Sequence, residues 1–263
     1  MERSRRRFLK ILGISTLGVG TISSVDLLAM VGKGEEPVYE REPDALVGKR
    51  WALVVDVKKL DEETTRKAIE ACNRVHNIPQ FNDKQEIKWI WTDKFEHVFP
   101  GQESTYLAEE VEKIPFLVLC NHCANPPCVR VCPTQATFKR EDGIVMMDQH
   151  RCIGCRYCMA GCPFGARSFN WKDAKNTYWK EHEPPNPRYP TRGKGVVEKC
   201  ILCADRLAEG KMPACVEAVK DSKAIVFGDL EDPNSEVRQM LREHFAIRRK
   251  PELGTNPNVY YIV

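Results

Sequence analysis

Cysteine is the residue type with the clearest capacity for chemistry in this 263-residue sequence, which contains 12 cysteines. Eleven of the 12 fall between positions 120 and 215, and one stands apart at position 72. The clustered cysteines form three groups: Cys120, Cys123, Cys128 and Cys132; Cys152, Cys155, Cys158 and Cys162; and Cys200, Cys203 and Cys215. Thiolates bind soft metal centres or pair as disulfides, so the spacing within the groups must decide between these chemistries.

The first two groups have the spacing that holds iron–sulfur clusters. The second reads C-x2-C-x2-C-x3-C-P, the run found in bacterial ferredoxins, and the first differs only by C-x4-C in its middle. The turn after each run also repeats, since Cys132–Ala136 reads CPTQA and Cys162–Ala166 reads CPFGA. In two-cluster proteins the fourth cysteine of each run ligates the other cluster. This crossover predicts two [4Fe–4S] clusters: cluster 1 on Cys120, Cys123, Cys128 and Cys162, and cluster 2 on Cys152, Cys155, Cys158 and Cys132.

The third group lacks a fourth cysteine, because Val219 stands where it would fall. If the outer part of the chain is a second ferredoxin-like module, spacing read backwards from Cys72 reaches Ala68, Thr65 and Glu62, none of which binds iron. By the crossover rule, one cluster of this module would need positions 62, 65, 68 and 219, and all four lack cysteine. The other, cluster 3, needs Cys72, Cys200, Cys203 and Cys215, and all four are present. The 12 cysteines therefore divide into three complete sets of four.

Other interpretations of these cysteines stay open. Tetrahedral zinc also uses C-x2-C pairs, although zinc sites seldom show the full ferredoxin run. Closely spaced cysteines pair poorly with distant partners in a disulfide framework, and Cys72 alone could be a buried apolar residue. His122 and His150 flank cysteine groups, where hydrogen bonds from such residues shift cluster potentials.

Composition excludes several other classes of function. Lys plus Arg number 40 and Asp plus Glu 37, so the chain lacks the basic excess typical of nucleic-acid binding. The sequence contains no Gly-rich phosphate loop, no Ser/His/Asp set and no convincing carboxylate pair. We therefore expect no catalytic residues, and the clusters predict a non-catalytic electron-transfer subunit.

The N-terminus resembles a twin-arginine export signal, since residues 4–10 read SRRRFLK. That route carries folded proteins, so clusters could be inserted in the reducing cytoplasm before export. No A-x-A cleavage pattern follows, and residues 8–25 are 18 residues long, close to the length of a membrane-spanning helix. We predict that residues 1–30 are retained as an anchor with the arginines cytoplasmic, which places the rest on the periplasmic face. The alternative is an amphipathic helix with a basic start.

Apolar patterning supplies the elements that must position the cysteines. Trp51–Val57 is a short Val-rich run typical of a buried strand, and so is Phe116–Leu119. Glu62–Asn77 predicts a helix, and Thr137–Asp148 a hairpin turning at its Glu-Asp-Gly. The predicted fold class is α+β, with two nested bacterial-ferredoxin-like (βαβ)2 modules and the N-terminal anchor helix. The predicted segments are 48–111 with 196–230 for the outer module, with an insertion at 80–111; 112–172 for the inner module; 173–195 for a Pro-rich loop; and 231–263 for a C-terminal extension.

The nested cysteine groups resemble the iron–sulfur subunits of molybdopterin oxidoreductases, such as polysulfide and dimethyl sulfoxide reductases, over residues 48–230. The similarity is closer to the twin-arginine-exported DsrO-type subunits of the DsrMKJOP complexes of sulfur metabolism. It is carried by Val118–Cys123, Phe138–Asp148 and Tyr189–Cys200. The molybdopterin-linked subunits usually hold four clusters, and this sequence departs from them by one.

The resemblance implies partners and an order of clusters. The partners are an NrfD-like polytopic membrane subunit that meets menaquinone, a periplasmic multihaem cytochrome c, and further membrane and cytoplasmic subunits of one complex, as in sulfate respiration. In the molybdopterin-linked subunits, the cluster that this sequence lacks is the one nearest the molybdopterin subunit. Cluster 3 would then be outermost, cluster 1 central and cluster 2 next to the membrane partner. The alternative function is the electron-transfer subunit of a molybdopterin-dependent oxidoreductase that has lost a cluster.

Overall fold

The computed structural model describes residues 42–81, 83–102, 106, 111, 114–182, 184–190 and 192–263. The predicted export signal and anchor, residues 1–30, lie outside the described residues. Within the described ranges, no helix has both the length and the apolarity needed to cross a membrane.

The described elements are short and of mixed type. The strands are β1 (Trp51–Asp56), β2 (Ile90–Asp93), β3 (Phe116–Leu119), β4 (Thr137–Lys139), β5 (Val145–Met147), β6 (Ser168–Phe169), β7 (Val197–Glu198), β8 (Ile225–Asp229), β9 (Ala246–Ile247) and β10 (Val259–Ile262). The helices are α1 (Glu62–Val75), α2 (Phe95–Val98), α3 (Pro127–Arg130), α4 (Tyr157–Ala160), α5 (Tyr178–Glu181), α6 (Ala204–Ala208), α7 (Ala214–Glu217) and α8 (Glu236–Glu243). This confirms a mixed α/β fold and leaves the predicted anchor helix as a prediction.

The main sheet has four strands in the order β8-β1-β10-β9. All six residues of β1 are buried; the first five are apolar, as expected for a buried strand, and the sixth is Asp56. Leu53 pairs with Phe227 of antiparallel β8 on one side and with Val259 of parallel β10 on the other. Residues 231–263, expected to be an extension, therefore supply two strands of the central sheet.

Helix α1 occupies the stretch where a second ferredoxin-type cysteine run would lie. The Asp61 carboxylate caps its first turn by accepting a 2.6 Å hydrogen bond from the Thr64 amide. The helix runs unbroken to Val75, two residues short of the predicted end, and packs against α7. Ala68 and Val219, at two of the four non-cysteine positions, are both buried in the hydrophobic core. Apolar packing thus fills this part of the fold.

Three two-stranded ladders connect the segments around the cysteines. The hairpin of β4 and β5 pairs Phe138 with Met146, which confirms the predicted hairpin. Strand β3, confirmed at its predicted bounds, pairs with β2, and β6 pairs with β7. Two of these ladders therefore join residues 114–172 to the segments that precede and follow them.

Candidate iron–sulfur cluster sites

The cysteine runs form loops that lead into helices of about one turn. Cys128, Cys158 and Cys215 lie within α3, α4 and α7, and Cys203 directly precedes α6. Residues beside the cysteines adopt left-handed backbone conformations, including His122 (φ 41°), Arg156 (φ 61°) and Cys203 itself (φ 49°). Such residues reverse the chain within a few positions, so that several thiols of one run can surround the same space.

Gly154 has a left-handed conformation that no other residue type could share here. Its φ is +72°, and a Cβ atom at this position would lie 2.3 Å from the carbonyl oxygen of Gly195. Glycine is therefore required between Cys152 and Cys155 both for the backbone angle and for the close approach of the neighbouring loop.

The structure brings together the four cysteines predicted for cluster 1. Cys120, Cys123 and Cys128 line one cavity with Cys162, which arrives from the second run. The empty space between them is about 320 Å³, part of it open to solvent. Its other walls are largely apolar and include Phe164. The cavity thus presents four soft thiol donors in one largely apolar space.

Cys72 lies beside the three cysteines of the third group. Burial is the largest cause of its strongly raised pKa, and the charges of Cys200, Cys203 and Cys215 follow in that order. Backbone amides point at two of these sulfurs: Leu202 N donates to Cys200 Sγ at 3.4 Å, and Ala214 N to Cys203 Sγ at 3.4 Å. The packing of α1 against α7 therefore brings Cys72 to the other cysteines of the predicted cluster 3 set, although Cys72 and Cys200 are 128 residues apart in sequence.

The cysteines predicted for cluster 2 are nearer the surface. Cys155 is exposed, Cys152 and Cys132 are partly buried, and Cys158 is buried. The pKa of Cys158 is raised, chiefly by burial, with contributions from Cys128 and Cys152. Val197 N donates to Cys152 Sγ at 3.5 Å. The hydrogen bond described for the Cys132 sulfur is to Thr134 in its own turn, at 3.7 Å.

Most of the buried thiols are unsuited to staying ionised without added positive charge. Burial, the largest influence in each case, raises the pKa of Cys123 and Cys200 to about 12 and that of Cys215 to about 11. Cys120 is the exception: its burial is outweighed by the charges of Lys199 and His122, which lower its pKa to about 5. Thiolate ligands need a cationic centre in such an environment, so the donor set fits bound iron.

In the described part of the chain, no three His, Cys, Asp or Glu side chains converge closely enough to hold a single metal ion. A [4Fe–4S] cluster requires a different arrangement, because each of its four thiolates binds a separate iron and the cluster fills the space between the sulfurs.

A buried ion pair ties the cluster 3 segments together. Glu198 accepts from Arg192 Nε at 2.7 Å, from Trp89 Nε1 at 2.8 Å and from Asn170 Nδ2 at 2.6 Å. The same arginine donates to the carbonyl oxygen of His76 at 2.7 Å, just beyond the end of α1. The network therefore holds the helix of Cys72 against the strand that leads into Cys200.

Several residues around the thiols escape prediction from sequence. Thr255, in the C-terminal extension, lies beside Cys123 and lowers the pKa of this thiol against the effect of burial. Asn258 Nδ2 donates to the carbonyl oxygen of His122 at 2.7 Å. Lys199 and Arg167 are buried beside cysteines, although sequence alone places charged residues at the surface. The feature of the sequence that indicated a lysine near a cluster was the position of Lys199 directly before Cys200.

The two histidines that flank the cysteine groups lie in different environments in the structure. His122 is buried, and its Nδ1 accepts a 3.1 Å hydrogen bond from the Val145 amide; its pKa is lowered, mainly by burial. His150 is exposed, and its amide donates to Asp148 in a local turn. His122 thus belongs to the cluster 1 surroundings.

Comparison with known proteins supports the chemistry of the donor set. A family model described as a 4Fe-4S dicluster domain matches residues 112–180. The chain is 37% identical to the Hdr-like menaquinol oxidoreductase iron-sulfur subunit 1 of Archaeoglobus fulgidus, over 98% of this chain and 97% of the relative.

Two further relatives match over most of their length. A tetrathionate reductase subunit of Salmonella typhimurium is 33% identical over 100% of this chain and 89% of its own. The menaquinone reductase iron-sulfur cluster-binding subunit of Nitratidesulfovibrio vulgaris is 35% identical over 81% of this chain and 88% of its own. The chain therefore belongs to the family of ferredoxin-type 4Fe–4S iron–sulfur subunits of oxidoreductases, of the DsrO and NrfC kind.

Proposed function

We propose that this chain is a non-catalytic electron-transfer subunit with three [4Fe–4S] clusters, held by the three sets of four cysteines that the crossover rule predicts. The cavity lined by Cys120, Cys123, Cys128 and Cys162 carries the proposal, because it joins thiols from two runs in the predicted combination. The third set is supported by the burial of Cys72 in one hydrophobic cluster with Cys200 and Cys215, and by the charges of all three group members, which raise its pKa. The clusters supply one-electron chemistry, and the chain controls their burial and hydrogen bonding.

Electrostatic interactions between the sets support an order of the clusters. The charge of Cys120 is the second cause, after burial, of the raised pKa of Cys200, which joins the cluster 1 and cluster 3 sets. The charge of Cys128 contributes to the raised pKa of Cys158, which joins the cluster 1 and cluster 2 sets. Both interactions support cluster 1 as the central member of a row, with cluster 3 at one end and cluster 2 at the other.

The cluster 2 end has the surface expected for a membrane partner. Beside the exposed Cys155 lie Ile153, 67% exposed, and Tyr157, 64% exposed. Trp171 is also exposed, and its ring lies 4.8 Å from the Arg156 guanidinium of the same loop. We assign this apolar face to an NrfD-like polytopic subunit that exchanges electrons with menaquinone. The names of two relatives, a menaquinol oxidoreductase subunit and a menaquinone reductase subunit, support the quinone link.

The proposal includes the cellular setting. The SRRRFLK stretch supports twin-arginine export, and the apolar residues that follow support retention on the periplasmic face of the membrane. The proposed electron donor or acceptor at the cluster 3 end is a periplasmic multihaem cytochrome c, within a sulfur-metabolism complex that contains further membrane and cytoplasmic subunits. N-terminal sequencing that starts beyond Met30 would contradict the anchor.

Purification from membranes tests the proposal directly. We expect brown protein that absorbs broadly near 400 nm, carries about twelve irons per chain and copurifies with a c-type cytochrome and a polytopic subunit. Colourless protein containing zinc would end the cluster assignment.

A second function is favoured by the match to the tetrathionate reductase subunit of Salmonella typhimurium. In this case the chain would be the electron-transfer subunit of a molybdopterin-dependent reductase. Molybdenum in the purified complex, bound to a copurifying large subunit, would support this second function and exclude the first.

A further inference from the structure

Lys199 places a buried positive charge between the cluster 1 and cluster 3 cysteines. The residue is 1% exposed. Its ammonium donates to the carbonyl oxygen of Cys200 at 2.7 Å and to that of Val145, which lines the cluster 1 cavity. The neighbouring Glu198 is occupied by Arg192. Among the described residues, no carboxylate pairs with Lys199.

Arg167 places a second buried charge between the cluster 1 and cluster 2 cysteines. The side chain is 6% exposed and lines the cluster 1 cavity. It lies beside Cys128 and Cys158, one thiol from each set, and the charges of these thiols raise its pKa against the effect of burial. Its Nη1 donates to Thr137 Oγ1 at 3.1 Å, and its Nη2 is buried with no hydrogen-bond partner in the protein. The described part of the chain offers this cation no carboxylate either.

Buried cations without carboxylates are costly unless an anion lies beside them. A cluster bound by four thiolates is such an anion, and it gains one more negative charge on reduction. A cation fixed in a low-dielectric interior therefore favours the reduced form and raises the reduction potential.

The surroundings of cluster 3 have the opposite character. Asp205 follows Cys203 by two residues, and its Oδ1 lies 3.7 Å from Nε2 of the buried His76. This carboxylate disfavours negative charge on Cys72 and Cys203. Arg206 favours negative charge on Cys215, but this cation is itself paired with Glu217. Cluster 1 thus has a buried cation without a carboxylate on each of its two neighbouring sides, whereas cluster 3 has a carboxylate, a paired cation and a cation shared with cluster 1.

We propose that Lys199 and Arg167 raise the reduction potential of cluster 1 above that of cluster 3, so that an electron shared between these two clusters is held preferentially at cluster 1. The inference rests on the cluster assignment of the proposed function. The two residues act through charge on the cluster and are positioning residues without contact to any substrate.

Redox titration of the purified full chain, followed by electron paramagnetic resonance, tests this inference. The cluster 3 signal is identified as the one lost in Cys72→Ala. In the unmodified protein, cluster 1 should be reduced at a higher potential than cluster 3. Lys199→Met should lower the ratio of reduced to oxidised cluster 1 at a fixed potential by about tenfold, equivalent to about 59 mV for one electron. Arg167→Met should shift cluster 1 in the same direction.

Two controls separate charge from structure. Lys199→Arg keeps the buried charge and should keep the original cluster 1 potential. Lys211→Met removes an exposed cation, paired with Glu209 at 2.8 Å, and solvent screening should leave all potentials unchanged.

The possible results are distinguishable. A cluster 1 potential below that of cluster 3 in the unmodified protein overturns the inference without need of any variant. Unchanged potentials in Lys199→Met and Arg167→Met, with iron content intact, overturn it equally. An unmodified chain with fewer than about twelve irons contradicts the proposed function instead, because the cluster assignment itself then fails.

Discussion

The Arg192 guanidinium lies 2.7 Å from the Glu198 carboxylate, and their side chains are 2% and 1% exposed. Through Arg192 this pair reaches the end of the helix that carries Cys72, and Glu198 itself stands two residues before Cys200. The pair is therefore a direct link between the remote fourth cysteine of cluster 3 and the run it must join.

Removing one partner of this pair should destabilise the protein and release cluster 3 first. Glu198→Ala leaves a buried guanidinium without its carboxylate, a change that costs about 3–5 kcal/mol. We expect a lower midpoint for thermal loss of the cluster absorbance near 400 nm. Glu209→Ala, which breaks an exposed pair with Lys211, is the matched control and should leave the midpoint unchanged. Equal midpoints for the two variants would refute the proposed link.

Gly154→Ala should damage cluster 2 selectively. The new Cβ would lie 2.3 Å from the Gly195 carbonyl oxygen at a φ of +72°, and a non-glycine residue in that conformation costs about 1–3 kcal/mol. Gly193→Ala, where a Cβ meets nothing within 4 Å, is the control. Iron content and the cluster 2 resonance should fall only in Gly154→Ala. Full iron content in that variant would show that the loop tolerates the side chain.

The apolar face beside cluster 2 should decide binding to the membrane partner. Ile153→Glu puts a charge in the centre of this face, and we expect at least about a tenfold loss of affinity, or about 1.4 kcal/mol. Phe245→Glu, at a residue that is 77% exposed on a different segment, should have no effect. Copurification from detergent-solubilised membranes measures the difference. If both variants copurify equally well, the membrane partner contacts a different face.

The elements that hold the cysteines were predictable wherever a local signal specified them. The apolar run of β1 and the Asp61 cap of α1 act over a few residues, and the cysteine spacing is itself local. Strand β10 was missed because its four residues carry no sign of the parallel pairing with β1 that places it inside the sheet. Likewise the buried ammonium of Lys199 donates a hydrogen bond to the carbonyl oxygen of Val145, and a local sequence pattern does not show a contact between residues 54 positions apart.

Cys72→Ala tests the least local of the cysteine assignments. The side chain is buried beside Cys200, Cys203 and Cys215, so its loss should remove or degrade cluster 3 and leave the other two resonances unchanged. Ala71→Ser, one residue earlier on the same helix, controls for disturbance of the helix alone. Iron content that stays at the unmodified level in Cys72→Ala would mean that another residue completes the set.

The most direct test of the three-cluster account is the iron and acid-labile sulfide content of the anaerobically purified full chain. Three complete sets of four cysteines predict about twelve irons and about twelve sulfides per chain, with three distinct reduced-state resonances. A content of about eight of each, with two resonances, would show that the Cys72 set does not hold a cluster and would contradict the account.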